Sequence, residues 1–212
     1  MLRATLGGLV DAPQLLSWRG PEPERFDNAC VSLRTDSLRA HGSSLTRSYA
    51  LDYRLETGPG WVTRELDVRS RGDGWWRSLG LRRSGDGEWS AVWAGEGLGT
   101  LPTQLPDLEG ALDCDLGLCP LTNTMPILRH DLTGVPRRGE GGSFDLLMAW
   151  VSVPDLTVHR SEQRYTAADP VGGDGGALVG YASEGFRTTI EVDARGLVVD
   201  YPGLGRRVER LV

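Results

Sequence analysis

The chain has 212 residues, 39% of them hydrophobic, with 29 glycines and 12 prolines, which suits one turn-rich domain with a sizeable core better than a helical bundle. Its net charge of −6 argues against a nucleic-acid backbone as partner. Every basic side chain other than histidine is an arginine, so a Walker-type phosphate loop and Schiff-base or pyridoxal chemistry both lack their lysine.

From Met1 to Trp18 there is no apolar run followed by a small-residue cleavage site, and no stretch of 18 apolar residues occurs anywhere. These features predict a chain with no secretory signal and no membrane span, located in the cytoplasm. Cys30, Cys114 and Cys119 are an odd set, read as reduced thiols.

Alternation with period two dominates from residue 45 onward. Tyr49, Leu51, Tyr53 and Leu55 fall on one face, with Asp52, Arg54 and Glu56 opposite. Trp61–Arg69, Trp75–Arg82 and Glu88–Trp93 follow, separated by Gly72-Asp73-Gly74 and Gly85-Asp86-Gly87, which supply the positive φ of tight hairpins. Within Val62, Arg64, Leu66 and Val68 the arginine interrupts an apolar face. It predicts either a structural ion pair or an inward guanidinium able to fork onto a carboxylate or phosphate.

Residues 94 to 131 form an irregular crossing rich in glycine and proline. Gly95-Glu96-Gly97-Leu98-Gly99 has no helix pattern after it and is no dinucleotide fingerprint. Next comes Asp113-Cys114-Asp115-Leu116, then Cys119-Pro120-Leu121-Thr122-Asn123-Thr124-Met125-Pro126-Ile127-Leu128-Arg129. The two prolines predict extended backbone held by its own polar side chains. Asp113 and Asp115 are a weak metal signal without a histidine nearby, and Cys114 and Cys119 lack the second pair that structural zinc needs. No cofactor or metal is expected.

A second meander spans 144 to 201. Phe144, Leu146, Met148 and Trp150 share a face, as do Phe186, Thr188, Ile190 and Val192. Gly172-Gly173-Asp174-Gly175-Gly176 suits a mobile loop or wide hairpin. Val158–Thr166 is polar on both sides, with Arg160, Glu162 and Arg164 against Ser161, Gln163 and Tyr165. It predicts an exposed edge strand or one face turned toward a wet interior. The expected architecture is one all-β domain over 1–212, two meanders at about 45–93 and 144–201, and an antiparallel sheet curled into a barrel or half-barrel with little helix.

His41, His130 and His159 sit in no metalloprotease motif, and no Gly-x-Ser-x-Gly elbow is present. Seven tryptophans lie in or beside strands and suit either core or an apolar pocket with a polar mouth.

Taken together, several segments resemble the bacterial putative glycolipid-binding family, formerly a domain of unknown function. They are Trp18-Arg19-Gly20-Pro21-Glu22, Trp61-Val62-Thr63-Arg64-Glu65-Leu66, Asp113-Cys114-Asp115-Leu116 and Pro120 through Ile127. Ala149-Trp150-Val151, Val153-Pro154-Asp155-Leu156, Glu162-Gln163 with Tyr165, and Gly196 through Leu204 complete the set. Leu121 departs from the family's usual aromatic, and Leu128-Arg129 from its arginine pair. The resemblance implies a curled sheet similar to bacterial lipoprotein and glycolipid carriers. It also implies a non-enzymatic binder of an amphiphilic small molecule, such as a glycolipid, held in a cavity enclosed by the curled sheet. The candidate ligand contacts are Arg64, Asp113, Asp115, Thr122, Asn123, Thr124, Arg129, Trp150, Glu162, Gln163 and Tyr165. The competing expectation is an enzyme with Asp113, Asp115, Arg129 and Glu162 in one pocket. A third is that the Asp113–Arg129 stretch is purely architectural.

Overall fold

A computed structural model describes residues 12–133, 142–171 and 176–208. The glycine-rich stretch 172–175 lies outside the described residues. The strands are β1 (Gln14–Pro21), β2 (Glu24–Leu33), β3 (Leu38–Thr46), β4 (Tyr49–Thr57), β5 (Thr63–Gly72), β6 (Trp75–Arg83) and β7 (Trp89–Glu96). After them come β8 (Asp113–Leu116), β9 (Ser143–Val151), β10 (Val158–Val171), β11 (Gly176–Ser183), β12 (Phe186–Val192), β13 (Val198–Tyr201) and β14 (Gly205–Arg207). One short α-helix, α1 (Thr124–Arg129), and two 3-10 turns, Pro59–Trp61 and Pro120–Asn123, complete the described elements.

All fourteen strands share one sheet in the order β7-β6-β5-β4-β3-β2-β1-β14-β13-β12-β11-β10-β9-β8. Each neighbouring pair is antiparallel except β8 with β9. Sequence-adjacent strands pair through short hairpins, and pairing of β1 with β14 stitches the two meanders together. The sheet curls but does not close into a barrel, because β7 and β8 are its two ends and do not pair. The seam between them is bridged by isolated bonds instead of a ladder. Arg83 Nε and Trp89 Nε1 both donate to Ala111 O, at 3.0 and 3.1 Å. Trp93 Nε1 donates to Leu156 O at 2.9 Å, and Thr63 N to Leu112 O at 3.0 Å.

The strands begin at Gln14, well before residue 45, where alternation first becomes plain in the sequence. In β2 the inward residues are Arg25, Asp27, Ala29, Val31 and Leu33, while Phe26 faces solvent. Leu15 and Leu45 also point outward, so polar-in and apolar-out positions mask the period.

The segment from Pro120 to Arg129 is not extended. A 3-10 turn over Pro120–Asn123 runs into α1. Both prolines sit in first turns, where their missing N–H has no helical partner to lose. Strand β10 is no edge strand, since it pairs with β9 on one side and β11 on the other.

Two core clusters fill the curl. The larger joins the inner faces of β1–β7 to Leu108, Ala111, Leu116, Leu121 and Met125. The smaller packs Ile127 and Leu132 against Met148, Tyr165, Val179, Ile190, Val192 and Val198. The stretch 116–132 therefore acts as a plug between the two halves of the sheet. Among the described residues, no helix is long and apolar enough to cross a membrane.

Candidate functional site

The proline-bounded plug carries a buried polar network. Asp113 is 1% exposed, and the Arg129 guanidinium forks onto both of its carboxylate oxygens. The Nε of Arg129 also donates to Gly60 O at 2.8 Å, which ties α1 to the β4–β5 loop. Asp115 accepts from Thr122 Oγ1 at 2.8 Å and from Gln163 Nε2 at 2.7 Å. The Tyr165 hydroxyl lies 2.9 Å from Asn123 Oδ1 and 3.2 Å from Gln163 Oε1. Asn123 Nδ2 closes the turn on Pro120 O at 3.2 Å. Burial raises the carboxyl pKa of both Asp113 and Asp115. Hydrogen bonds offset part of that rise, from Arg129 in the first case and from Gln163 and Thr122 in the second.

The structure thus brings Asp113, Asp115, Thr122, Asn123, Arg129, Gln163 and Tyr165 together. Thr124 is buried beside them with its hydroxyl unpartnered. Trp150 is half-buried against His159, with ring centroids 5.4 Å apart. Two expected members stand elsewhere. Glu162 faces solvent, 3.7 Å from Arg160, so the expected four-residue pocket is not assembled. Arg64 is exposed and does not point inward, because a register shift sets Glu56 opposite Glu65 but Thr57 opposite Thr63. Arg64 is the extra residue of that bulge, and the bulge resets the parity on which an inward guanidinium depends.

Both oxygens of each clustered carboxylate accept a hydrogen bond, Asp113 fully buried and Asp115 partly so, and the cluster acts chemically as a clamp on the plug. Tyr165→Phe would remove the single O–H that two buried acceptors, Asn123 Oδ1 and Gln163 Oε1, share, and is expected to cost about 1–2 kcal/mol. In a thermal melt this is a fall of roughly 2–8 °C for a domain of this size. A melting point within a degree of wild type would deny the network a structural role.

A second constellation went unseen in the sequence. Register partners across the inner face of β1–β7 form continuous rows. One runs Ala29, Gly42, Tyr53, Val68, Leu79, Trp93, and the next Val31, Ala40, Leu55, Leu66, Leu81, Ala91. Both are almost wholly apolar. Toward the end where the β1–β2, β3–β4 and β5–β6 hairpins turn, the next row reads Trp18, Asp27, Ser44, Leu51, Ser70, Arg77, Gly95. This polar belt is rimmed by Arg25, Tyr49 and Trp75, one pleat further out. The inner face is therefore graded, apolar in depth and polar at one mouth.

The belt is built with glycines. A Cβ at position 20 would lie 2.4 Å from the Arg25 guanidinium, and one at position 95 would lie 2.6 Å from Arg77 Nη1. Arg25 Nε pairs with Asp27 Oδ2 at 2.9 Å. Burial raises the pKa of Asp27, against hydrogen bonding from Ser44 and the charge of Arg25. Burial likewise raises that of Tyr49 and pushes the Cys119 thiol up to about 12. A cleft opens among Trp18, Asp27, Ser44, Tyr49, Tyr53 and the plug residues Leu116–Pro120. Its free volume is about 10 Å³, room for one water. A signal for the belt was present in β6, where Arg77 alternates in phase with Trp75, Leu79 and Leu81.

Among the described residues no group of three or more His, Cys, Asp or Glu side chains could hold a metal ion. A protein family described as "putative glycolipid-binding" matches residues 15–207. No curated protein matches the chain. Among solved structures, the chain is similar to a DUF1089 family protein from Pseudomonas aeruginosa. The two share 24% identity over 98% of each chain, with a TM-score of 0.62, a likeness of fold.

Proposed function

We propose that this chain, which belongs to the putative glycolipid-binding family, binds an amphiphile, with the apolar portion on the graded inner face of β1–β7 and the polar head at the belt. The observation that carries this is the gradient itself. Two ladder rows of apolar residues lie behind one row bearing Asp27, Ser44, Ser70 and Arg77. A protein that only needed a core would continue the apolar rows, since burying a polar group costs free energy unless it is bonded. Trp18 and Tyr49 stand at the boundary, where rings with one polar handle suit both environments.

The expected enclosed cavity is not present among the described residues: the interior is filled by side chains and the cleft is small, so an acyl chain enters only when the walls part. The seam between β7 and β8, held by isolated bonds, is where the sheet opens at least cost. The clamp formed by Asp113 with Arg129, and by Asp115 with Gln163 and Tyr165, keeps the plug in register while that happens. The family's description, a glycolipid, fits a head able to bond the serine hydroxyls and Asp27.

Titration with alkyl maltosides of increasing chain length, followed by tryptophan fluorescence below their micellar concentrations, tests this. Affinity is expected to rise roughly fourfold per added methylene. Maltose alone is expected to bind immeasurably weakly. Absence of any chain-length dependence would end the proposal.

A further inference from the structure

The cleft between the belt and the plug presents an acceptor and a donor at the same place. Trp18, Asp27, Ser44, Tyr49, Tyr53 and Cys119 all line it, and its free volume of about 10 Å³ suits one water or one hydroxyl group. The acceptor is Asp27. Arg25 Nε donates to one of its oxygens at 2.9 Å, and the Ser44 hydroxyl also bonds the carboxylate. A carboxylate has about four lone-pair sites, so acceptor capacity remains. The donor is Tyr49. Its backbone N–H and C=O both bond to Thr46 Oγ1, but its phenol hydroxyl has no hydrogen-bond partner among the described residues. Burial raises the Tyr49 pKa, so the phenol stays protonated and donates at neutral pH. The negative charge of Asp27 adds to that rise, which marks the two groups as near neighbours across the cleft.

No arginine or histidine lines this cleft. Arg25 directs Nη2 to Leu118 O and Leu204 O, and its Nη1 is sealed against Gly20, where any Cβ would collide with it. An anionic head placed here would face the Asp27 carboxylate with no positive donor of its own. A cationic head would have no lone pair to accept from Tyr49, and it would bury a second cation beside Arg25. A neutral hydroxyl meets both walls, because it donates to Asp27 and accepts from Tyr49.

We infer that the cleft takes one hydroxyl of the ligand's head between Asp27 and Tyr49, and that this head is a neutral polyol and not an ion. The space admits a single such group, so the remaining hydroxyls stay at the mouth, in water. This inference rests on the amphiphile reading above and deepens it by naming the class of head.

Calorimetric titration of the full chain with a set of decyl amphiphiles, below their micellar concentrations, tests it. Decyl maltoside carries a polyol head, and decyldimethylphosphine oxide a neutral head that accepts hydrogen bonds but cannot donate one. Decyl sulfate supplies an anion and decylammonium a cation on the same chain. Wild type is expected to bind the maltoside at least about tenfold more tightly than the phosphine oxide, the scale of one hydrogen bond to a charged acceptor. The sulfate and the ammonium are also expected to bind more weakly than the maltoside. Tyr49→Phe removes a hydroxyl with no protein partner to lose, so it is expected to melt like wild type and to weaken maltoside binding roughly three- to tenfold. Equal binding of maltoside and phosphine oxide by wild type, or tighter binding of either ion, overturns the polyol head and leaves the amphiphile reading standing. An unchanged maltoside affinity in Tyr49→Phe overturns the cleft as the place where the head is read. Binding of none of these amphiphiles overturns both readings.

Discussion

Arg129→Met is expected to destabilise the protein by about 3–5 kcal/mol, the scale for removing one partner of a buried ion pair. For a domain of this size that is a fall in Tm of roughly 6–20 °C. Methionine keeps the stem length but supplies no donor, so both Asp113 oxygens lose their fork and Gly60 O loses its bond. Asp113 has a side-chain exposure of 2% and no water to turn to. Most of the loss is the cost of a stranded carboxylate and not the intrinsic worth of the pair. Adding Asp113→Asn to Arg129→Met is therefore expected to recover much of it. The double-mutant cycle, measured by urea unfolding, reads the coupling directly. A single variant within half a kcal/mol of wild type would show the pair to be incidental.

The clamp was partly legible in the sequence. Asp113, Asp115, Thr122, Asn123, Arg129, Gln163 and Tyr165 stood out because their residue types break the surrounding patterns, and they do converge. Their convergence could not be read, since it depends on a parallel pairing of β8 with β9 across a crossing of unknown course. Strands such as β4 and β12 were plain because each buries one face only. Arg64 was misplaced because one extra residue at a bulge is invisible in a period-two count. The polar belt was hidden for a different reason. Asp27, Ser44, Ser70 and Arg77 come from four separate strands, and only register aligns them into a row. In sequence each looks like an ordinary outward polar residue displaced by one.

The clamp and the belt share one structural consequence. Both fix the plug 116–132 against the sheet with charged hydrogen bonds, one at each end of the plug. The apolar contacts between them have no such directionality. On the proposed function, a ligand parting the apolar layer would leave the plug in register, provided both anchors hold. The anchors are where single substitutions should hurt most.

The second anchor is Arg25, and Arg25→Met is expected to cost about 3–5 kcal/mol as well. The side chain is fully buried. It donates to Asp27 Oδ2 at 2.9 Å, to Leu118 O at 2.9 Å and to Leu204 O. One guanidinium thus joins β2, the plug and the β13–β14 turn. Methionine leaves two carbonyls and a carboxylate facing apolar neighbours. Its pH dependence separates this loss from simple cavity formation. Burial already raises the Asp27 pKa in wild type, and Arg25 is among the groups that oppose the rise. Without Arg25 the folded-state pKa climbs further. For an acid whose folded pKa exceeds its unfolded value, protonation favours the fold. That contribution is present below the unfolded pKa and is lost as pH rises through the folded one. The deficit of Arg25→Met relative to wild type is therefore expected to be greatest at neutral pH and to shrink on acidification toward the unfolded value near 3.8. Adding Asp27→Asn should flatten the dependence and restore part of the lost stability at pH 7. Melting curves of the three proteins between pH 4 and 8 decide the matter. A deficit independent of pH would mean that the guanidinium matters for its volume and its carbonyl bonds, and that Asp27 is held by Ser44 alone.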